Sequence, residues 1–315
     1  CKLDAVGPHG SAMELVRAER PPEGAIAILA SDPHAFIVVT DHTDPFADDM
    51  AITAPVGDSF VPLPEMKPCV ASHIHVAGPS GSGKSTFADM MAEMYKSVVG
   101  GRVIVVSADG DPDPNLTHVD TRVPIDESIS QVNIKDMAGA DGALVIFDDV
   151  EGLPKESASA FRAFEQAVKE RGRKMGLHSI SIYHRGAANK STQASLNEAT
   201  GYVVFPKKLS SNITYMLKTY ADIPPEVVNL IGRGDWGRWL LIVPGCYMLG
   251  EKKAAIIDPT AIAAIAKAEK KRITQNATDA VAGRYAGRHP EVVRQGLGDA
   301  FSRLTFRSNA DNGYR

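Results

Sequence analysis

The feature that most limits what this chain can become is a run of nine residues, Gly78, Pro79, Ser80, Gly81, Ser82, Gly83, Lys84, Ser85 and Thr86. It reads G-x-x-x-x-G-K-[ST], with the apolar HIHVA before it and the helical TFADMMAEMY after it. In that setting the glycines let backbone N–H groups turn inward around phosphate oxygens. The start of the following helix adds positive potential. Lys84 is placed to reach β- and γ-phosphates, and the Ser85 hydroxyl to ligate Mg²⁺. A strand feeding a phosphate loop and then a helix also implies a parallel α/β sheet.

The rest of the chain repeats that pattern. Apolar strands are expected near 73–77, 103–107, 143–147, 178–183 and 201–205, helices at about 84–97, 126–138, 155–172 and 191–199, and a later strand at 238–243. The fold class is therefore α/β, a P-loop NTPase whose mainly parallel sheet carries helices on both faces. Residues 1–70 hold short apolar stretches broken by prolines and read as a small β-rich extension. Residues 71–250 read as the core, and 251–315 as a helical basic tail. That tail carries 12 Lys/Arg against 7 Asp/Glu, in a chain whose net charge is −4. Within it, Thr260–Arg272 has the composition and charge polarity of a helix.

Composition excludes other classes. Apolar residues make up 44% and charged residues 23%, as in ordinary globular domains, and 6% aromatics is low for a single-strand binder that stacks bases. The longest apolar runs, such as ALVIF at 143–147, fit buried strands and are too short to span a bilayer. Three widely spaced cysteines support neither a disulfide framework nor a zinc cluster and suggest a reducing compartment. The start at Cys1 is read as a trimmed or renumbered end.

ALVIFDDVEG places Asp148 and Asp149 directly after a buried strand, at the carboxyl edge where open α/β sheets bind ligands. Asp148 is expected to hold Mg²⁺ through water. Asp149 is expected to polarise the attacking water, with Glu151 in reserve. Lys84 and Asp148 lie 64 residues apart, enough for a full βα unit between them. With an acid beside the metal aspartate, this resembles the additional-strand class of P-loop ATPases. Other signals are set aside: Asp109, Asp111 and Asp113 copy a calcium loop but are interrupted by Pro112 and Pro114. His73 and His75 read as core or strand-edge histidines. Trp236 and Trp239, flanked by Arg233 and Arg238, read as packing, with an interface or DNA-facing hairpin as the alternative.

LVIFDDVEGL, ERGRKMGLHSISIYHR, STQASLNEATGYVVFPK and ITYMLKTYADIP, in that order, resemble successive blocks of the genome-packaging ATPases of large DNA viruses, the poxvirus-type branch of the FtsK/HerA superfamily. The likeness covers about residues 73–250. It implies ATP and Mg²⁺ as cofactors and a homo-oligomeric ring, a pentamer or hexamer. It also implies double-stranded DNA as partner, a capsid vertex or portal as docking point, and a place in the host cytoplasm or with the virion. An arginine finger just before the fourth strand maps onto Arg171 or Arg173, followed here by Lys174 and Met175 where the family continues with histidines. At the end of that strand His184 stands where the superfamily has a polar sensor, commonly glutamine. The alternatives kept open are another FtsK/HerA-type motor for conjugation or export, a nucleotide or small-molecule kinase, and an NTP-dependent assembly scaffold.

Overall fold

A computed structural model describes residues 11–41, 51–64, 72–108, 113–140, 142–148, 150–151, 153–187, 190–257 and 259–284. The strands of the N-terminal part are β1 (Ser11–Arg17), β2 (Ala25–Leu29), β3 (Asp32–Asp41), β4 (Ala51–Thr53) and β5 (Phe60–Pro62). The βα series follows with β6 (His73–Ala77), α1 (Lys84–Val98), β7 (Arg102–Ser107), β8 (Thr121–Pro124), α2 (Ile134–Ala138), β9 (Ala143–Asp148), α3 (Lys155–Gly172), β10 (Leu177–Tyr183), α4 (Lys190–Asn197) and β11 (Gly201–Val204). The chain continues through α5 (Ser211–Tyr220), α6 (Pro225–Arg233), β12 (Leu240–Val243), β13 (Tyr247–Gly250), β14 (Lys253–Ile256) and α7 (Pro259–Arg284).

Ten strands form the main sheet in the order β4-β14-β13-β12-β11-β6-β10-β9-β7-β8. The six from β11 to β8 run parallel, and β12, β13, β14 and β4 continue the sheet antiparallel. Every residue of β6 and β9 is buried, as expected of parallel strands covered on both faces. Alternation divides their side chains. Ile74, Val76, Leu144 and Ile146 pack with Phe87, Met91 and Tyr95 of α1, while Val145 and Phe147 meet Phe161, Phe164 and Val168 of α3 on the opposite face. The expected mainly parallel sheet with helices on both faces is what forms. Both sheet edges are short: β4 has three residues, and β8 has four and carries Arg122 and Pro124.

The extension is β-rich as expected. Strands β1, β3, β2 and β5 form a second, antiparallel sheet, whose Ile28, Phe36 and Val38 pack with Met94 and Val98 of α1. Strand pairing nevertheless crosses the sequence-based divisions, because β4 joins β14 in the main sheet and β14 lies beyond residue 250. The helix expected over 126–138 is two pieces, a 3₁₀ turn at Glu127–Gln131 and the short α2. Asp126 accepts from the Ser128 N–H and Asn133 from the Lys135 N–H, so each side chain starts a new segment and the helix cannot run through. From Ala263 the chain forms a second unit. There α7 continues past the expected end at Arg272, with Lys267, Lys270 and Lys271 exposed and Arg272 bridging to Glu269 at 2.7 Å. No helix among the described residues is long and apolar enough to cross a membrane.

One part of the core is polar. Between β6, β10 and α3 the Lys169 ammonium donates to Glu165 (2.7 Å) and to the Ser195 hydroxyl (2.5 Å), and the Ser181 hydroxyl donates to Glu165 (2.8 Å). His73 bridges the Ser179 hydroxyl (2.9 Å) and the Lys169 carbonyl (3.0 Å). His75 stacks on Tyr183 at 4.8 Å. The two histidines are core residues, and a ligand role has no support here. Burial, then the positive charge of Lys169, and for His73 also that of Arg173, lower both imidazoles to about 3. Burial alone lowers His178 to about 4.

A histidine whose folded pKa is depressed contributes stability that is present above its unfolded pKa and lost as pH falls toward the folded one. Between about pH 6.5 and 4 the unfolded chain takes up three protons that the native state refuses. Urea unfolding measured from pH 7.5 to 5 should therefore show stability falling by up to about 4 kcal/mol per pH unit once below the ordinary histidine range. His75→Phe, which keeps a ring against Tyr183, should flatten that slope by about a third. An unchanged slope would mean that His75 is not held neutral.

Candidate nucleotide site

β6 ends at Ala77, and the chain leaves the sheet through a loop whose shape depends on its glycines. Gly78 lies against the Phe205 ring, its N–H donating to the Tyr183 carbonyl at 3.2 Å; a Cβ there would sit 2.6 Å from that ring. Gly81 and Gly83 have φ of +67° and +103°, the left-handed region that side chains disfavour. The Ser82 N–H closes the turn on the Pro79 carbonyl at 3.2 Å. Gly83 is the N-cap of α1 and supplies no side-chain cap, and the first turn holds no acidic residue. The N–H groups of that turn are therefore left for an outside acceptor.

Lys84 is 7% exposed; its ammonium donates to the Pro79 carbonyl (3.1 Å) and to His184 Nδ1 (3.2 Å). The Ser82 hydroxyl is buried with no hydrogen-bond partner among the described residues. An uncapped helix start, an orphaned buried hydroxyl and a buried ammonium together suit a polyphosphate.

Asp148 closes β9 and is 5% exposed. Ser181 pairs with both His75 and Phe147 across the sheet, so β10 stands between the loop strand and the acidic strand. Asp148 is thus held two strand spacings from β6, about 10 Å across the sheet. The strand that separates them is the one at 177–183. The βα unit inserted between the two motifs in sequence supplies β7 instead, on the far side of β9. His184 follows the intervening strand and touches Lys84, so the sensor and phosphate-loop candidates meet directly.

The residues expected to hold a divalent cation, Ser85 and Asp148, are both hard oxygen donors. Among the described residues no group of three or more His, Cys, Asp or Glu could hold a metal alone. A hydroxyl and a carboxylate suit Mg²⁺, which is commonly bound by one or two carboxylates together with substrate phosphates. Sequence reasoning missed one acid here: burial pushes the Asp113 carboxyl up, but hydrogen bonds from Ser85 and Asn115 outweigh it and hold Asp113 below the usual carboxylate range. Its loop is tied to α1 by Asp89, which accepts from the N–H groups of Thr117 (2.6 Å) and His118 (2.9 Å). Asp149, Asp109 and Asp111 lie outside the described residues; Glu151 is exposed.

Arg171 and Arg173 are exposed at the end of α3, immediately before β10. The phosphate loop follows the other end of the strands, so the seven-residue length of β10, about 20 Å, separates these arginines from Lys84. The structure does not bring them to the site of their own chain. It does bring two unforeseen cations there. Lys208 Nζ donates to the Gly81 carbonyl at 3.0 Å, and Arg238 Cδ lies 3.2 Å from where a Cβ on Gly83 would stand. Neither contact has a periodic or motif signal, because both are made by the fold across more than a hundred residues of sequence.

No family model matches the chain. Uncharacterized protein V3 of the Sputnik virophage is 30% identical over 191 residues, which are 59% of this chain and 76% of that protein. The chain belongs to the family of that virophage protein. Similar solved structures include the genome-packaging NTPase B204 of Sulfolobus turreted icosahedral virus 2 in complex with ATP-γS (14% identity, 61% of this chain and all of that one, TM-score 0.40). Others are the pCW3 conjugation coupling protein TcpA with ATPγS (14%, 82% of each chain, TM-score 0.43) and the cytoplasmic domain of the Thermomonospora curvata type VII secretion ATPase EccC (11%, 76% of this chain and 30% of that one, TM-score 0.45).

The two left-handed glycines differ in surroundings, which separates strain from crowding. A Cβ on Gly81 meets nothing within 4 Å, whereas one on Gly83 meets Arg238 and Phe205. Gly81→Ala should lose about 1 kcal/mol of unfolding free energy from backbone strain alone, and Gly83→Ala should lose more, both read by urea unfolding without nucleotide. Equal losses would show that Arg238 and Phe205 do not press on the loop.

Proposed function

We propose that the protein is a Mg²⁺-dependent ATPase that acts as a ring of identical subunits and drives double-stranded DNA, in the reading the family resemblance favours, into a preformed viral capsid. The observation that carries the ATPase reading is the phosphate loop facing Asp148 across a single strand whose end delivers His184 to Lys84. In this reading the loop N–H groups and Lys84 hold the β- and γ-phosphates. Ser85 and Asp148 hold Mg²⁺, which when bound neutralises phosphate charge. Asp149 orients and deprotonates the attacking water, and His184 reports the state of the γ-phosphate position to β10.

The ring is drawn from the family resemblance, and the same geometry is compatible with it. An arginine beyond the far edge of the sheet is useless to its own nucleotide, but a neighbouring subunit can present that edge to the next phosphate loop. Arg171 or Arg173 would then neutralise transition-state charge in trans. DNA engagement is drawn from the resemblance and from the basic tail, whose exposed Lys267, Lys270 and Lys271 can contact phosphates.

Three measurements test this. Asp149→Asn should bind Mg·ATP normally yet stall single-turnover hydrolysis, while Lys84→Ala loses binding itself. Mixing Asp149→Asn with an Arg171→Ala or Arg173→Ala variant should restore turnover, since a mixed interface holds one complete site. Absence of rescue in demonstrably mixed rings, for both arginines, removes the trans role. For DNA, a cut after Ile262 spares β14 and should weaken duplex binding and flatten its salt dependence. An unchanged slope assigns the tail to assembly or capsid docking.

A further inference from the structure

The antiparallel half of the sheet presses a charged side chain onto the phosphate loop. Between α6 and β12 the chain makes a tight excursion at Asp235–Arg238, held on several sides. Trp239 is buried and meets Phe87, in the first turn of α1, edge to face at 5.2 Å. Trp236 is buried as well, with Lys253 over its ring at 5.6 Å. The Lys252 ammonium pairs with Asp235 at 3.1 Å, and the Arg238 N–H donates to Glu251 at 2.5 Å. The backbone carrying Arg238 is thereby bolted to the helix that begins at the phosphate loop.

The side chain itself is exposed and uncommitted. Its Cδ and Nη1 lie 3.2 and 4.0 Å from the position of a Cβ on Gly83. Among the described residues its guanidinium makes no hydrogen bond or ion pair. Lys208 rests on the neighbouring Gly81 carbonyl, and Lys84 lies within the same loop. Three cations thus surround one glycine turn, and no carboxylate pairs with Arg238 or Lys208 among the described residues. Like charges so close repel unless an anion joins them. An arginine with a fixed backbone and a free guanidinium beside a phosphate cradle suits a polyanion bound in that cradle.

We infer that Arg238, assisted by Lys208, is a same-subunit contact to the nucleotide's polyphosphate, which couples the antiparallel half of the sheet to nucleotide binding. This rests on the nucleotide reading above and is separate from any arginine supplied by a neighbour. Because the contact is to the phosphate chain, it distinguishes ATP and ADP from AMP, which has a single phosphate to offer.

Calorimetric binding of ATP, ADP and AMP to the full chain tests it. Arg238→Ala should weaken ATP and ADP about tenfold or more, change AMP much less, and leave the melting temperature without nucleotide as in the wild type. Arg238→Lys should recover part of the loss, and Lys208→Ala should show a smaller one. Arg238→Gln, which retains most of the stem, serves if the alanine variant unfolds. Wild-type ATP affinity in both Arg238→Ala and Arg238→Gln overturns the inference. So does unchanged ATP affinity with weakened duplex binding, which would assign the arginine to DNA. Failure of the wild-type protein to bind ATP at all brings down the nucleotide reading together with this one.

Discussion

The proposed catalytic geometry depends on one strand placement, the parallel insertion of β10 between β6 and β9. It places the phosphate loop and Asp148 two strand spacings apart at the carboxyl edge of the sheet. It delivers His184 to Lys84. The same strand begins beside Arg171 and Arg173 at the opposite edge. Remove the pairing, and loop and acid would be adjacent, with neither His184 nor a cross-sheet connection between them.

The strand is held by an unusual choice of side chains. Where a parallel sheet is ordinarily packed with aliphatic residues, β10 turns Ser179, Ser181 and Tyr183 toward Glu165, Lys169 and two histidines. A buried ammonium and carboxylate are a poor source of net stability, because desolvation offsets much of their attraction. Their directional bonds do penalise a strand that slips by a residue, since a shift would strand a charge in the core. The polar layer therefore serves the register of the sheet, on which the site's spacing rests.

The elements with long, uniform signals were legible from the residues. HIHVA, ALVIF and LHSISIY are apolar or buried throughout and became β6, β9 and β10 within a residue of expectation, and the phosphate loop, α1 and α3 likewise. Less was legible where local competition or distant contact decides. Asp126 and Asn133 are ordinary polar residues in a helical-looking stretch, and only their capping bonds reveal that it starts twice, as two short pieces. The calcium-like Asp113 reads as a turn residue, yet its loop, fastened by Asp89, folds back to Ser85. Arg238 and Lys208 carry no spacing signal at all, because connecting segments that close on a loop more than a hundred residues earlier do so through tertiary contact. The spacing between Lys84 and Asp148 pointed to the right class, but the strand that lies between them in space comes after both in sequence.

The ends of the main sheet bear on how copies of this chain can meet. A three-residue strand at one margin and, at the other, a four-residue strand holding a proline and an arginine offer little unpaired backbone for a visiting strand to zip onto. In the proposed ring, neighbours would grip one another through side chains, leaving each sheet whole. Such a seam could be loosened and remade one contact at a time, whereas a shared sheet would weld the subunits together.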